Sequence, residues 1–110
     1  METIVIVGGS SSIGNMISNR FRSASTRVIT SYASRPPGVT GEQTDALCLD
    51  LRDDGSIDAF VRQVEVLTPQ IDIAIFLAGI LPGKSLVEYE FTEIDEVMSV
   101  NFNGQVKLIM

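Results

Sequence analysis

The chain has 110 residues, 45% of them hydrophobic, which sets one domain at most with apolar content for a real core. A formal net charge of −6 without any cluster of Lys and Arg argues against nucleic acid as a partner, because neutralising phosphates needs grouped cations. The absence of histidine excludes a Ser-His-Asp triad and most catalytic zinc sites, and no metal is expected.

Thr3 to Val7 is a short β-branched run, the pattern of a strand buried on both faces of a parallel sheet. The turn Gly8-Gly9-Ser10-Ser11-Ser12-Ile13-Gly14 follows. Gly8 and Gly9 permit backbone angles closed to other residues, and Gly14 lets the next element pack close to the strand. From about Ile13 to Ser23, the residues Ile13, Ile17 and Phe21, with Met16 alongside, predict an amphipathic helix. Unpaired amides in its first turn, the helix dipole and the hydroxyls of Ser10, Ser11 and Ser12 together form an anion site suited to a dinucleotide pyrophosphate. A plain loop is the competing reading, and a Walker-type loop is a second one. The Walker reading fails because Asn15 and Met16 stand where Lys and Ser/Thr are needed.

Arg27 to Tyr32 predicts a second strand, and Ala33 to Glu42, with Pro36-Pro37-Gly38, a loop. A carboxylate at the end of this strand would accept from the ribose hydroxyl of NAD and repel the 2′-phosphate of NADP. Here Ser34 and Arg35 stand there with no acid, so the charge favours NADP over NAD, against the alternative that Arg35 is a solvated loop cation. Ala46 to Leu51 predicts a third strand, ending in the polar cluster Asp50, Arg52, Asp53 and Asp54. Cys48 inside it is expected to be core filler rather than half of a disulfide. Asp54 or Ser56 is expected to cap a helix with the stripe Ile57, Phe60, Val61 and Val64, stopped by Thr68-Pro69.

Ile71 to Leu77 predicts a fourth strand ending at Ala78-Gly79, and a loop runs from Ile80 to Glu90. Thr92, with Asp95 three residues on, is expected to cap a last helix carrying Ile94, Val97, Met98, Asn101 and Phe102. Asn101 falls on or beside the apolar stripe, where a buried amide would hold a water or a backbone carbonyl, or serve only as a satisfied structural group. Strands alternating with helices imply right-handed crossovers and ligands at the carboxyl ends of the strands, where Gly8, Arg35, Asp50 and Gly79 all fall. The expected fold is α/β, a Rossmann-type parallel sheet with helices on both faces, truncated after the fourth strand and fourth helix. No run reaches membrane-spanning length and no basic leader precedes an apolar stretch, so a cytoplasmic protein without membrane association is expected.

These residues resemble the N-terminal half of the short-chain dehydrogenase/reductase family. Gly8 to Gly14 is similar to its glycine-rich loop, Asp50-Leu51 to the acidic pair that contacts adenine, Ala78-Gly79 to the end of its Asn-Asn-Ala-Gly motif, and Val100-Asn101 to the segment with its catalytic asparagine. The resemblance implies hydride transfer between nicotinamide and a small carbonyl or alcohol substrate. It also implies cofactor contacts at Gly8, Ser10, Ser11, Ser12, Ile13, Gly14, Ser34, Arg35, Asp50, Leu51, Ala78 and Gly79, a catalytic Asn101, and homo-oligomers associating through the helix near Thr92.

Val7 and Ser12 depart from the loop motif, and Phe76-Leu77 replace the paired asparagines, leaving only backbone contacts there. The family's Tyr-x-x-x-Lys does not occur: Pro36 follows Tyr32 at that offset, and Glu93 follows Tyr89. The residues are therefore expected to be the cofactor-binding half of a longer reductase, inactive alone, the alternative being a non-catalytic dinucleotide-binding or protein-interaction module. Ending after the last helix is expected to leave the fourth strand as a hydrophobic edge.

Overall fold

A computed structural model gives the fold, describing residues 2–8, 12–21, 23, 25–33, 44–80 and 88–110. The elements run β1 (Glu2–Val7), α1 (Ser12–Phe21), β2 (Thr26–Tyr32), β3 (Thr44–Cys48), α2 (Asp54–Leu67), β4 (Ile73–Phe76), α3 (Phe91–Met98), a π-helical turn (Ser99–Asn103) and α4 (Gly104–Ile109). The four described strands pair in parallel in the order β3-β2-β1-β4. The chain thus winds outward from β1 to β3 and then returns to the other side of β1. The order reverses between β1 and β4, the place where open α/β sheets bind ligands.

Strand alternation divides the core into two layers. Val5 and Val7 join Ile29, Leu49, Leu51 and the α2 stripe Ile57, Phe60 and Val64, while Ile4, Ile6 and Val28 face the other way, toward Ile17 of α1. Side chains alternating along one strand therefore anchor a helix on each face, as the apolar runs of β1 and β2 predict. Each fully buried Ile or Val contributes about 1.5–3 kcal/mol relative to exposure.

Several boundaries differ from the sequence expectation. The third strand is Thr44–Cys48, not Ala46 to Leu51, and the fourth is Ile73–Phe76, shorter than Ile71 to Leu77. Cys48 is exposed rather than buried, because β3 is an edge strand and Cys48 is its last residue, so Leu49 and Leu51 beyond it fill the core instead. In α1 the buried positions are Gly14 and Ser18, with Ile13 62% exposed, so the expected stripe is rotated. A glycine and a serine let the helix lie close to the sheet, which the larger Ile13 and Met16 would prevent. Asp53 caps α2 by accepting from the Gly55 amide at 2.9 Å, in place of the expected Asp54 or Ser56. Glu90 and Glu93 form a reciprocal capping box for α3, displacing Thr92 from that role.

As expected, β4 is an edge of the described sheet. In the last helical stretch Phe91, Ile94, Met98, Phe102, Val106 and Ile109 are exposed and recur every three or four residues. Among the described residues, no helix is long and apolar enough to cross a membrane.

Candidate cofactor site at the carboxyl edge of the sheet

At the end of β1 the backbone must turn sharply, and Gly8 does so with φ +95°, a conformation that L side chains rarely adopt. A Cβ there would lie 2.6 Å from the Ala78 nitrogen, so only glycine lets the ends of β1 and β4 approach this closely. The Gly8 amide donates to Ser31 Oγ at 2.8 Å, tying the turn to β2 as well. Gly9, Ser10, Ser11, Ser34 and Arg35, and the side chain of Ser12, lie outside the described residues, so the expected phosphate contacts and the reading of the 2′-phosphate lie there too.

The chain leaving β3 supplies the second wall. Leu49 and Leu51 point into the core, while Asp50 and Arg52 remain at the surface. Asp50 Oδ1 accepts from both the Arg52 amide and Arg52 Nε at 3.0 Å, and Oδ2 accepts from Nη2 at 3.3 Å. This bidentate hydrogen bonding holds the Asp50 carboxyl below the usual carboxylate range. Arg52 Nη1 donates to Glu96 on α3, so one guanidinium joins two carboxylates from separate elements.

The third wall is the segment after β4, held by the last helix. Asn101, on the π-helical turn, accepts from the Ile80 amide and donates to the Ile80 carbonyl, both at 2.7 Å. Of the possible roles for an amide at this position, it takes that of holding a backbone carbonyl. It is exposed rather than buried, because the π-helical turn carries it off the packed face. Gln105 donates to the carbonyls of Ala78 at 2.8 Å and Val100 at 3.1 Å. Two side chains thus fix Ala78 to Ile80 from the helix side, where Phe76-Leu77 offer no polar groups. Gly79 packs against this amide, since a Cβ on it would meet Asn101 Oδ1 at 3.4 Å.

Gly104 makes the arrangement possible: a Cβ on it would lie 2.2 Å from the Leu51 carbonyl oxygen, so the helix backbone rests directly on the chain after β3. Sequence reasoning missed Gly104 and Gln105. A glycine inside a predicted helix, which costs about 1 kcal/mol against alanine, was the available signal for a close approach. Gln105 carried no such signal.

These walls enclose a cleft of about 190 Å³ lined by Ala33, Leu49, Asp50, Leu51, Arg52, Ala78, Ile80, Glu96 and Val100. Of the expected site residues, Asp50, Leu51 and Ala78 come together here, with Gly8 and Gly79 beside them and Asn101 holding one side. Ile13 and Gly14 lie on α1, Gly14 buried and Ile13 exposed. The volume is below the roughly 300–1,000 Å³ of whole small-molecule sites, so the cleft suits one planar ring of a larger ligand. Its walls are apolar at Leu49, Leu51, Ala78, Ile80 and Val100, and Asp50, Arg52 and Glu96 supply its charged groups.

The model of the short chain dehydrogenase family matches residues 2–110. An uncharacterized oxidoreductase of Schizosaccharomyces pombe is 25% identical over 94% of this chain and 42% of its own length. A short-chain dehydrogenase from Leptospira borgpetersenii, solved with bound NAD+, is 27% identical with a TM-score of 0.86, over 98% of this chain and 43% of that one. A short chain dehydrogenase family protein from Francisella tularensis shares the fold with a TM-score of 0.87 at 20% identity, over 99% of this chain and 44% of that one. The chain therefore spans less than half the length of these relatives.

Proposed function

The chain belongs to the short-chain dehydrogenase family, and on that premise we propose that its 110 residues form the dinucleotide-binding half of an NADP(H)-dependent oxidoreductase acting on a small carbonyl or alcohol substrate. The observation that carries this reading is the cleft at the carboxyl edge of the parallel sheet, where residues following β2, β3 and β4 meet. When bound, the nicotinamide supplies or accepts the hydride.

The chain's own contribution is binding and orientation. Leu49, Leu51 and Val100 would cover the faces of the base, and the Asp50 carboxylate would accept from its amino group. The turn from Gly8 to Gly14 and the first amides of α1 would hold the pyrophosphate, with Ser10, Ser11 and Ser12 donating and Ile13 completing the wall. Asn101 would order the segment Ala78 to Ile80 along the cofactor. No Tyr-x-x-x-Lys is present to deliver a proton, so binding without turnover is the expected behaviour of these residues alone.

The NADP preference rests on charge at the end of β2, where Arg35 stands and no acid does. The Leptospira relative holds NAD+, so the family's fold also accommodates the unphosphorylated form. Titration of the intact protein and of Arg35→Asp with NADPH and NADH tests the reading. The substitution should move preference toward NADH, and an unchanged ratio would place recognition of the 2′-phosphate elsewhere. The exposed apolar residues of α3 and α4 favour a homo-oligomer formed through this helical stretch.

A further inference from the structure

Arg52 is the one cation lining the cleft among the described residues, and two of the other lining residues, Asp50 and Glu96, are acids. Its guanidinium contacts both. Without it, two carboxylates would face a site that takes a multiply anionic ligand, in a chain already carrying a net charge of −6. Like charges close together in a partly enclosed cleft repel more strongly than they do in open water. The pairing also spans the cleft, since Asp50 follows β3 and Glu96 lies on α3.

We propose that Arg52 is a positioning and specificity-determining residue of this site: bridging Asp50 and Glu96, it neutralises the acidic rim and so admits an anionic dinucleotide. The role is electrostatic and acts through the two carboxylates. Arg52 therefore governs binding of phosphorylated adenine ligands and leaves binding of an uncharged nucleoside unaffected. The proposal rests on the reading of the cleft as a dinucleotide site.

Calorimetric titration of the intact protein with NADPH and with adenosine separates the two ideas. Arg52→Gln should weaken NADPH binding about threefold to tenfold, in keeping with the modest strength of half-exposed ion pairs. The loss should shrink at high salt, and adenosine affinity should stay the same. Adding Glu96→Gln to Arg52→Gln should recover most of the lost affinity, because one of the unpaired charges is then removed. Equal losses for adenosine and NADPH, or no recovery in the double variant, would show a structural role and overturn the proposal alone. If the parent protein binds neither NADPH nor NADH, the cofactor reading fails and the proposal falls with it.

Discussion

The two sides of β1 carry similar apolar residues in opposite conditions. On the β2 side, Val28 and Ile29 are completely buried, as are Ile4 and Ile6 of β1 itself. On the β4 side, Ile73 is 40% exposed, and in the helix that follows β4 in the chain Phe91 is 87% exposed. Residue type does not separate the two regions; position in the sheet does. β1 and β2 have a neighbour on each side, while β4 has β1 alone among the described strands. The cleft joins the two sides, the chain leaving β2 and β3 meeting the segment after β4, and on the β4 side its geometry depends on the polar clamps of Asn101 and Gln105 rather than on a deep core.

Gly104 is the point at which the last helical stretch is fastened most tightly to the chain after β3. Gly104→Val should be among the most costly changes, a loss on the order of 3 kcal/mol or more, because the new Cβ meets the Leu51 and Ser99 carbonyl oxygens and the helix must move off. A denaturant midpoint unchanged by this substitution would show that the helix does not rest on Leu51. Two phenylalanines then compare the regions directly. Phe60→Ala, at 2% exposure, should cost about 3–5 kcal/mol, whereas Phe91→Ala should stay within about 0.5 kcal/mol in the monomer. A Phe91 cost that grows with protein concentration would locate the covering surface in a second copy.

Asn101→Ala should cost roughly 1–2 kcal/mol by removing both bonds to Ile80. Amide hydrogen exchange at Ile80 should then quicken while exchange at Ile4 and Ile29 stays slow, and uniform quickening would argue against a local clamp. The smallest effect concerns pH. Arg52 lowers the Asp50 pKa in the folded state, so the pairing stabilises above the unfolded carboxylate pKa near pH 4 and is lost as pH falls through the lowered value. Both partners are more than a third exposed, which keeps the contribution at about 0–1 kcal/mol. Stability curves of the parent and Arg52→Gln should diverge above about pH 4 and converge in stronger acid. Parallel curves would contradict the pairing.

Much of the fold was legible because β1, β2 and the α2 stripe obey simple periodicities, and their burial follows from them. The β-branched run of β1 and the Ile57-Phe60-Val64 spacing needed no tertiary information. The edges were less legible. Cys48 looked like core because its neighbours are apolar, yet edge position decides its exposure, and sheet order is not written in any single segment. The α1 face was misread for a related reason: the close approach expected at Gly14 also buries Ser18, which a hydrophobic periodicity overlooks. At the site, Asp50, Leu51 and Ala78 were found through motif and strand ends. The Asp50–Arg52–Glu96 bridge and the Gln105 clamp join residues distant in sequence, so only the folded chain brings them together.

The central claim is that the cleft beside Asp50 receives the base of a nicotinamide dinucleotide. Ala33 lines that cleft while remaining exposed at the end of β2, so Ala33→Trp should fill it without disturbing the core. The decisive measurement is calorimetric titration of NADPH into the intact parent protein and into Ala33→Trp, with far-ultraviolet circular dichroism verifying that both are folded. The account predicts saturable binding by the parent and at least a tenfold loss in the variant, a difference of about 1.4 kcal/mol. Equal binding by the two proteins, or none by the parent, would contradict it.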